Sequence, residues 1–484
     1  MADILDLDAT GQLLALSGGR VSAVELLKAA LARHDQTHEV FNAVVMADPE
    51  RALERARAVD DLRAKGDATG ALAGLPMTVK DTFDVAGMPA SSGLEALRRR
   101  QAEDATAVAR ARGAGAVVWG KTNTPVMAGD WQTFNDLYGT TNNPWDGART
   151  CGGSSGGAAV ALATGVTALE IGSDIGGSLR VPASFCGVFS HKPTWGIVPQ
   201  HGHVPPRPGS WVERDLNVVG PMARSARDLR LLLSILAGGA VAPKAAPADL
   251  RSARIALWVD EPSFPLDPEV RAAVERLGTA LAAAGVQVTP IPSPLDMRAL
   301  MGAYHTLLGG LLAEDLPPAV QRQMQRMRPF ARLAMKRGAG PLSPAAMALA
   351  YTATHREWME ADAVRCRLRH EIAGLFDKYD AILAPIAPVP AFPHDHRPFQ
   401  SRSLKLSSGE TIAYNAMLNW IGLATALGHP ASVVPAGRTP GGLPVGAQLI
   451  GPWGGDGRTL ALAQAIDEEI GGFVAPAPAP AVPA

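Results

Sequence analysis

Apolar residues recur at helical spacing early in the chain. Val24, Leu27 and Leu31 follow Ser22-Ala23-Val24-Glu25, whose serine and glutamate form a capping box. An Arg-, Ala- and Glu-rich stretch predicts a second helix over Glu50–Lys65, and Asp67–Gly74 is a turn-rich break. Leu75–Lys80 then reads as a short strand, Asp104–Arg112 as a helix, and Gly115–Gly120 as a buried strand between glycines. The alternation continues with a helix over Ser155–Ala163, a strand over Ala168–Ile171 and a helix over Ser225–Ala237. A strand over Arg254–Val259, a helix over Pro268–Ala284 and a strand over Val286–Val288 follow. This rhythm predicts an α/β fold with a single large sheet. From Pro290 to His396 the pattern turns to helical segments with Met-rich patches and proline breaks, a candidate cap over the sheet. Ala384–Pro393 and His394–Arg397 read as loop, and regular α/β texture returns near Ile421–Ile450. The Pro/Ala-rich end, 471–484, predicts a disordered tail.

Composition narrows the function classes. The 484-residue chain is 47% hydrophobic and carries a formal net charge of -1, which fits a globular enzyme. Charge this balanced argues against nucleic acid or an anionic membrane as main partner. Three cysteines, Cys151, Cys186 and Cys366, form no metal-ligand spacing, and an odd count favours a reduced setting. The acidic start, Met1–Asp6, does not resemble a signal peptide, so a cytoplasmic location is expected.

Several motifs match a pattern without its context. Gly115–Thr122 satisfies the phosphate-loop spacing, which would make this a nucleotide-binding protein. Its Ala-Val-Val-Trp interior belongs in a strand, however, and Pro125 interrupts the helix such a loop needs. Gly153-Ser154-Ser155-Gly156-Gly157 matches the nucleophile elbow at Ser155, but loop-like residues precede it where a strand is required. His394-Asp395-His396 lies in a proline-rich loop, where surface placement is expected. His191, His201, His203 and His429 stand in turn-like contexts, and each alone reads as structural or solvent-facing.

Two serines remain, each set among glycines. Cys151–Gly157 holds Ser154, and Gly172–Arg180 holds Ser178. Glycines at this density bring backbone N–H groups close to a ligand, so a serine there has the nucleophile and oxyanion donors of acyl transfer. It lacks a base.

These residues resemble the amidase signature family. Gly74–Asp81 is similar to the family's lysine strand, Cys151–Gly157 to its Gly-Gly-Ser-Ser-Gly-Gly loop, and Gly172–Arg180 with Pro182–Gly187 and Lys192-Pro193-Thr194 to its nucleophile segment. Similarity extends over Gly120–Pro144, Val219–Ser225 and Gly441–Pro452, and the spacing of the two serines agrees. Cys151 stands where the family usually has proline, and His191 where it often has leucine.

The resemblance implies a single large twisted mixed β-sheet flanked by helices on both faces. It divides the chain into an N-terminal helical segment packed on the core (1–70), the amidase domain (71–470) and the tail, with 290–400 as a helical selectivity region. It implies a Ser–cis-Ser–Lys triad of Ser178 as nucleophile, Ser154 as bridge and Lys80 as base. Backbone N–H groups of Ile175, Gly176, Gly177 and Ser178 would form the oxyanion hole. Asp174 and Arg180 would order the nucleophile loop, and Ala128 would line the acyl pocket. The implied partner is a small-molecule amide, with no cofactor or metal, possible ester cleavage, and a homodimer left open.

The chemistry of the residues supports these roles. A free lysine is neutral in only about one molecule in 2,500 at pH 7, and lowering its pKa to ~8 costs about 3 kcal/mol. Burial behind Met77 and Val79 would supply the shift, provided Asp81 points to the other face of the strand. A glutamine-hydrolysing subunit of a tRNA-dependent amidotransferase is the alternative within the family. Such subunits usually carry a Ser-Leu-Asp-Gln-Ile-Gly-Pro-like segment, where this chain has Asp215–Pro221 with Asn217, so a stand-alone amidase fits better. Trp131, Phe134, Tyr138 and Trp420 hint at an apolar pocket but serve equally as core.

Overall fold

A computed structural model describes residues 4–67, 70–239, 250–340 and 343–477. Eleven strands make one sheet: β1 (Val44–Ala47), β2 (Pro76–Lys80), β3 (Val117–Thr122), β4 (Leu169–Asp174), β5 (Phe189–Lys192), β6 (Val218–Ala223), β7 (Arg254–Leu257), β8 (Gln287–Pro290), β9 (Ala381–Pro385), β10 (Ala431–Arg438) and β11 (Pro444–Ile450). Their order across the sheet is β1-β3-β2-β4-β6-β5-β10-β11-β9-β7-β8. Parallel pairs join β2 to β3 and β4, and β7 to β8 and β9. The centre from β4 to β9 is antiparallel. The sheet is mixed, with helices on both faces, as the family resemblance implies; the sequence pattern itself predicts the single large sheet.

The expected helices form close to their predicted bounds. Ser22 caps Ala23–Phe41 through the predicted box with Glu25, and Asp48 caps Pro49–Ala64. The N-terminal segment is not purely helical, because Val44–Ala47 adds an antiparallel strand to the sheet edge beside β3. Ala384 and Pro385, expected in loop, belong to β9, where Ala384 faces Gln448 across β11. Pro385 closes that strand opposite Ala447, past the last residue paired with β7, Leu383. Residues 478–484 of the expected disordered tail lie outside the described residues. The preceding Gly471–Ala477 is irregular, with Phe473 packed against the core and the Arg224 guanidinium 5.9 Å from its ring.

Two features set the site. Parallel β2 and β4 pair Thr78 with Glu170 and Val79 with Ile171, so their C-terminal ends, Lys80 and Asp174, open on the same side of the sheet. Against these strands packs the helix Gly156–Ala163, all eight residues of which are buried. Its first turn, Gly-Gly-Ala-Ala, has no bulky side chain to hold the backbone away. A Cβ at Gly157 would come within 2.4 Å of the Asn123 backbone nitrogen. Small residues therefore let the helix start directly against β3, and Ser154 is carried to the end of β2.

Candidate active site

Lys80 ends β2 fully buried, with Nζ 2.7 Å from Ser154 Oγ and 3.0 Å from Ser173 Oγ. Burial pushes its pKa down to about 7, against the opposing fields of Asp174 and Glu170. Glu170 lies deeper along β4, where burial pushes its carboxyl up to about 8 and Thr78 donates to it. Burial thus shifts both side chains toward their neutral forms. Asp81 turns to the other side, as alternation predicts: it pairs with Lys121 at 2.8 Å and accepts from the Ser91 hydroxyl. That ion pair also disposes of the phosphate-loop motif. Its lysine is fully buried, occupied by Asp81 and the Pro89 carbonyl, at the end of a strand.

Ser154 follows a cis Gly153–Ser154 peptide and is itself buried. Ser155 starts the small-residue helix, and its hydroxyl is turned to the Ser173 carbonyl at 3.5 Å. Ser178 behaves differently. Its Oγ has no hydrogen-bond partner among the described residues, and the residue lines a cavity of about 160 Å3. Catalytic hydrogen bonds are often unformed without substrate, so the open Ser154–Ser178 link does not conflict with a relay.

The loop from Asp174 to Arg180 is held from several directions. Arg180 is fully buried and forks onto Asp174 with two 3.0 Å bonds, and it also reaches the Ile421 carbonyl, Gln448 and Thr425. Burial raises the Asp174 carboxyl, but Arg180 outweighs it and holds the pKa below the usual value. Gly177 takes φ +92°, a conformation open to glycine at no steric cost. Its N–H donates to Asp174 Oδ1 at 2.9 Å. Gly177, one of the four expected oxyanion donors, thus has its N–H engaged by Asp174 in this structure. The N–H groups of Ile175, Gly176 and Ser178 have no acceptor among the described residues, and these three residues line the cavity.

Two aromatic side chains, neither assigned this role from sequence, set the loop's peptide planes. Tyr304 donates its hydroxyl to the Ile175 carbonyl at 2.9 Å, and Trp131 donates Nε1–H to the Gly176 carbonyl at 2.7 Å. In a planar trans peptide the following N–H points the opposite way. Tyr304 therefore turns the Gly176 N–H away from itself, and Trp131 turns the Gly177 N–H toward Asp174.

The remaining candidates fall on either side of the cavity. Ala128, with φ 55°, lines it, as do Trp131, Leu308, Met347 and Leu418. Helices Met297–Leu312 and Pro344–Tyr351 thus bring the 290–400 region into the site. Trp420 instead packs with Trp258 and Phe264 in the core, and Phe134 stacks on His396. Buried His191 bridges Ser432 and Asp456, which accounts for a histidine at a leucine position. Cys151 is buried and its thiol pushed up to about 12, an inert packing residue. His203, read from sequence as structural or solvent-facing, is buried and lies 2.9 Å from Ser173 Oγ, next to the lysine. No group of metal-ligating side chains occurs among the described residues.

The Amidase family model matches residues 25–460, and the chain belongs to this family, whose enzymes hydrolyse amides. It is 33% identical over 481 residues to a glutamyl-tRNA(Gln) amidotransferase subunit of Chloroflexus aurantiacus, covering 93% of this chain and 94% of the relative. Among solved structures, it is similar to a crystal structure of amidase, at 32% identity and TM-score 0.78 over 96% of this chain and 99% of the other. It also resembles 6-aminohexanoate cyclic dimer hydrolase in complex with substrate. That match has 26% identity and TM-score 0.74 over 97% of this chain and 98% of the other. No helix among the described residues is long and apolar enough to cross a membrane.

Proposed function

We propose that this chain is a stand-alone amidase that hydrolyses an amide bearing an apolar group, through an acyl-enzyme on Ser178. The observation that carries the reading is the buried Lys80 amine, 2.7 Å from Ser154, with its pKa brought down to about 7. Ser154 gives its proton to the neutral amine and takes one from Ser178, which attacks the amide carbon. The N–H groups of Ile175, Gly176 and Ser178 receive the oxyanion. The proton held on Lys80 returns by way of Ser154 to the departing ammonia or amine. Water then repeats the sequence on the acyl-enzyme and releases the acid. Ester cleavage is a side activity of the same machinery, since an alkoxide leaves more readily than an amine.

The cavity wall favours the apolar substrate. Its one carboxylate, Asp130, is already engaged by Arg402 and the Tyr414 hydroxyl, and no lysine or arginine lines it among the described residues. His305, the other titratable base on the wall, is pushed down to about 4 by burial and stays neutral. A cationic amino-acid amide, or zwitterionic glutamine, finds no free counter-charge there, and desolvating it unpaired is costly.

A second reading, the glutamine-hydrolysing subunit of an amidotransferase, is favoured by the Chloroflexus relative. Against it, Asp215, at the start of the segment that departs from such subunits, is taken up by Arg365 at 2.7 Å. Initial rates on aliphatic, aryl and amino-acid amides, with glutamine included, separate the two. Apolar amides are expected to be the better substrates, and Ser178→Ala to be inactive on all of them. Full activity in Ser178→Ala would remove the nucleophile assignment, and glutamine as sole substrate would favour the subunit.

A further inference from the structure

Lys80 has a second hydroxyl neighbour whose own bonding direction can be worked out. Ser173 Oγ lies 3.0 Å from Lys80 Nζ and 2.9 Å from His203 Nε2. On the far side of the ring, His203 Nδ1 is 2.7 Å from the Pro205 carbonyl oxygen. A carbonyl only accepts, so Nδ1 carries the ring proton. Burial drives the ring to a pKa of about 3, so it carries no second proton. Nε2 is then an acceptor, and the hydrogen between the two side chains belongs to Ser173. The ring is also tied to the lysine strand, because Phe83, three residues past Lys80, bridges His203 through the backbone and meets its ring edge-on at 5.0 Å.

We propose that His203 is a positioning residue for the catalytic base: by accepting the Ser173 hydroxyl proton it makes Ser173 a pure acceptor toward Lys80. An N–H of the neutral lysine is drawn to Ser173, and the lone pair is left for the Ser154 proton. Without an acceptor at position 203, the Ser173 hydroxyl turns and donates into that lone pair, competing with Ser154. The inference rests on the triad reading of the preceding section.

The test is the profile of kcat/KM between about pH 5 and pH 10 for His203→Phe, His203→Gln and the double variant Ser173→Ala/His203→Phe. His203→Phe is expected to lower the plateau about 10- to 100-fold, the scale of one misdirected buried hydrogen bond. Its acid limb moves to lower pH, because the neutral amine has become the hydrogen-bonded form. His203→Gln, whose side-chain carbonyl accepts, restores most of the activity. The double variant is more active than His203→Phe alone, since the misdirected donor is gone.

Additive losses with an unshifted limb would mean that the ring serves packing only, and would overturn the proposal. Nitrogen-15 histidine spectra of the unaltered chain read the same point without depending on how the Phe variant folds. The signal lost in His203→Gln is expected to be the neutral tautomer protonated at Nδ1, and protonation at Nε2 overturns the idea. Ser178→Ala separates the two levels. Activity retained there removes the triad and this role with it, whereas an inactive Ser178→Ala beside a His203→Phe chain that matches the unaltered enzyme removes His203 alone.

Discussion

Burial shifts Lys80 toward its uncharged form at a cost to the fold. Its value falls from 10.5 to about 7 on burial, so across that window the unfolded chain holds the extra proton and stability rises with pH. Activity should follow the neutral amine, with kcat/KM rising through about pH 7 and levelling above it. Lys80→Met should cost about 100- to 10,000-fold in kcat. The same change should raise unfolding stability at pH 7 by about 1–4 kcal/mol, read from urea midpoints, and flatten the slope of stability with pH. A less stable Met variant would show that the lysine is held charged. This residue was legible in the sequence because its strand and both serine loops match a family pattern together; alone it reads as a surface lysine. His203 was not legible, since its role lies in which nitrogen accepts from Ser173, and that depends on the distant Pro205 carbonyl and on Phe83.

At the scale of elements, the helix Met297–Leu312 does two jobs. It lines the cavity with Leu308 and Leu312, and it delivers Tyr304 to the Ile175 carbonyl. Tyr304→Phe removes one hydroxyl and little volume. A loss of about 1 kcal/mol in stability is expected, with kcat falling about tenfold for one loosened oxyanion peptide and KM nearly unchanged. A change in KM alone would place Tyr304 on the substrate instead. Helices such as Ala23–Phe41 were readable from their caps and periodicity. Strands β1, β5, β6 and β9 were not, because they are short, all but the edge strand β1 are buried on both sides, and they include residues such as His191, Lys192 and Pro221 that break the expected apolar run. Lys192 illustrates the point: a buried lysine in mid-sheet is satisfied by the Pro193 and His429 carbonyls, partners that only the folded chain supplies.

For the whole molecule, the pattern of alternating elements predicts the single sheet but not its order. Crossing from β6 back to β5 and on to β10 is decided by which faces find partners in space. The small-residue helix Gly156–Ala163 has a further consequence, in the time domain. With all eight residues buried and β3 and β4 beside it, the backbone next to both serines has no local route to solvent. Amide hydrogen exchange should therefore be slowest at Ala159–Ala163 and Glu170–Ser173, releasing deuterium only with global unfolding. Fast exchange there, under conditions where the enzyme is active, would mean that the helix lifts during turnover. Slow exchange makes the hydrolytic centre the last part of the chain to open. A substrate then reaches Ser178 through the cavity on the side of Met297–Leu312, while the floor beneath it stays closed.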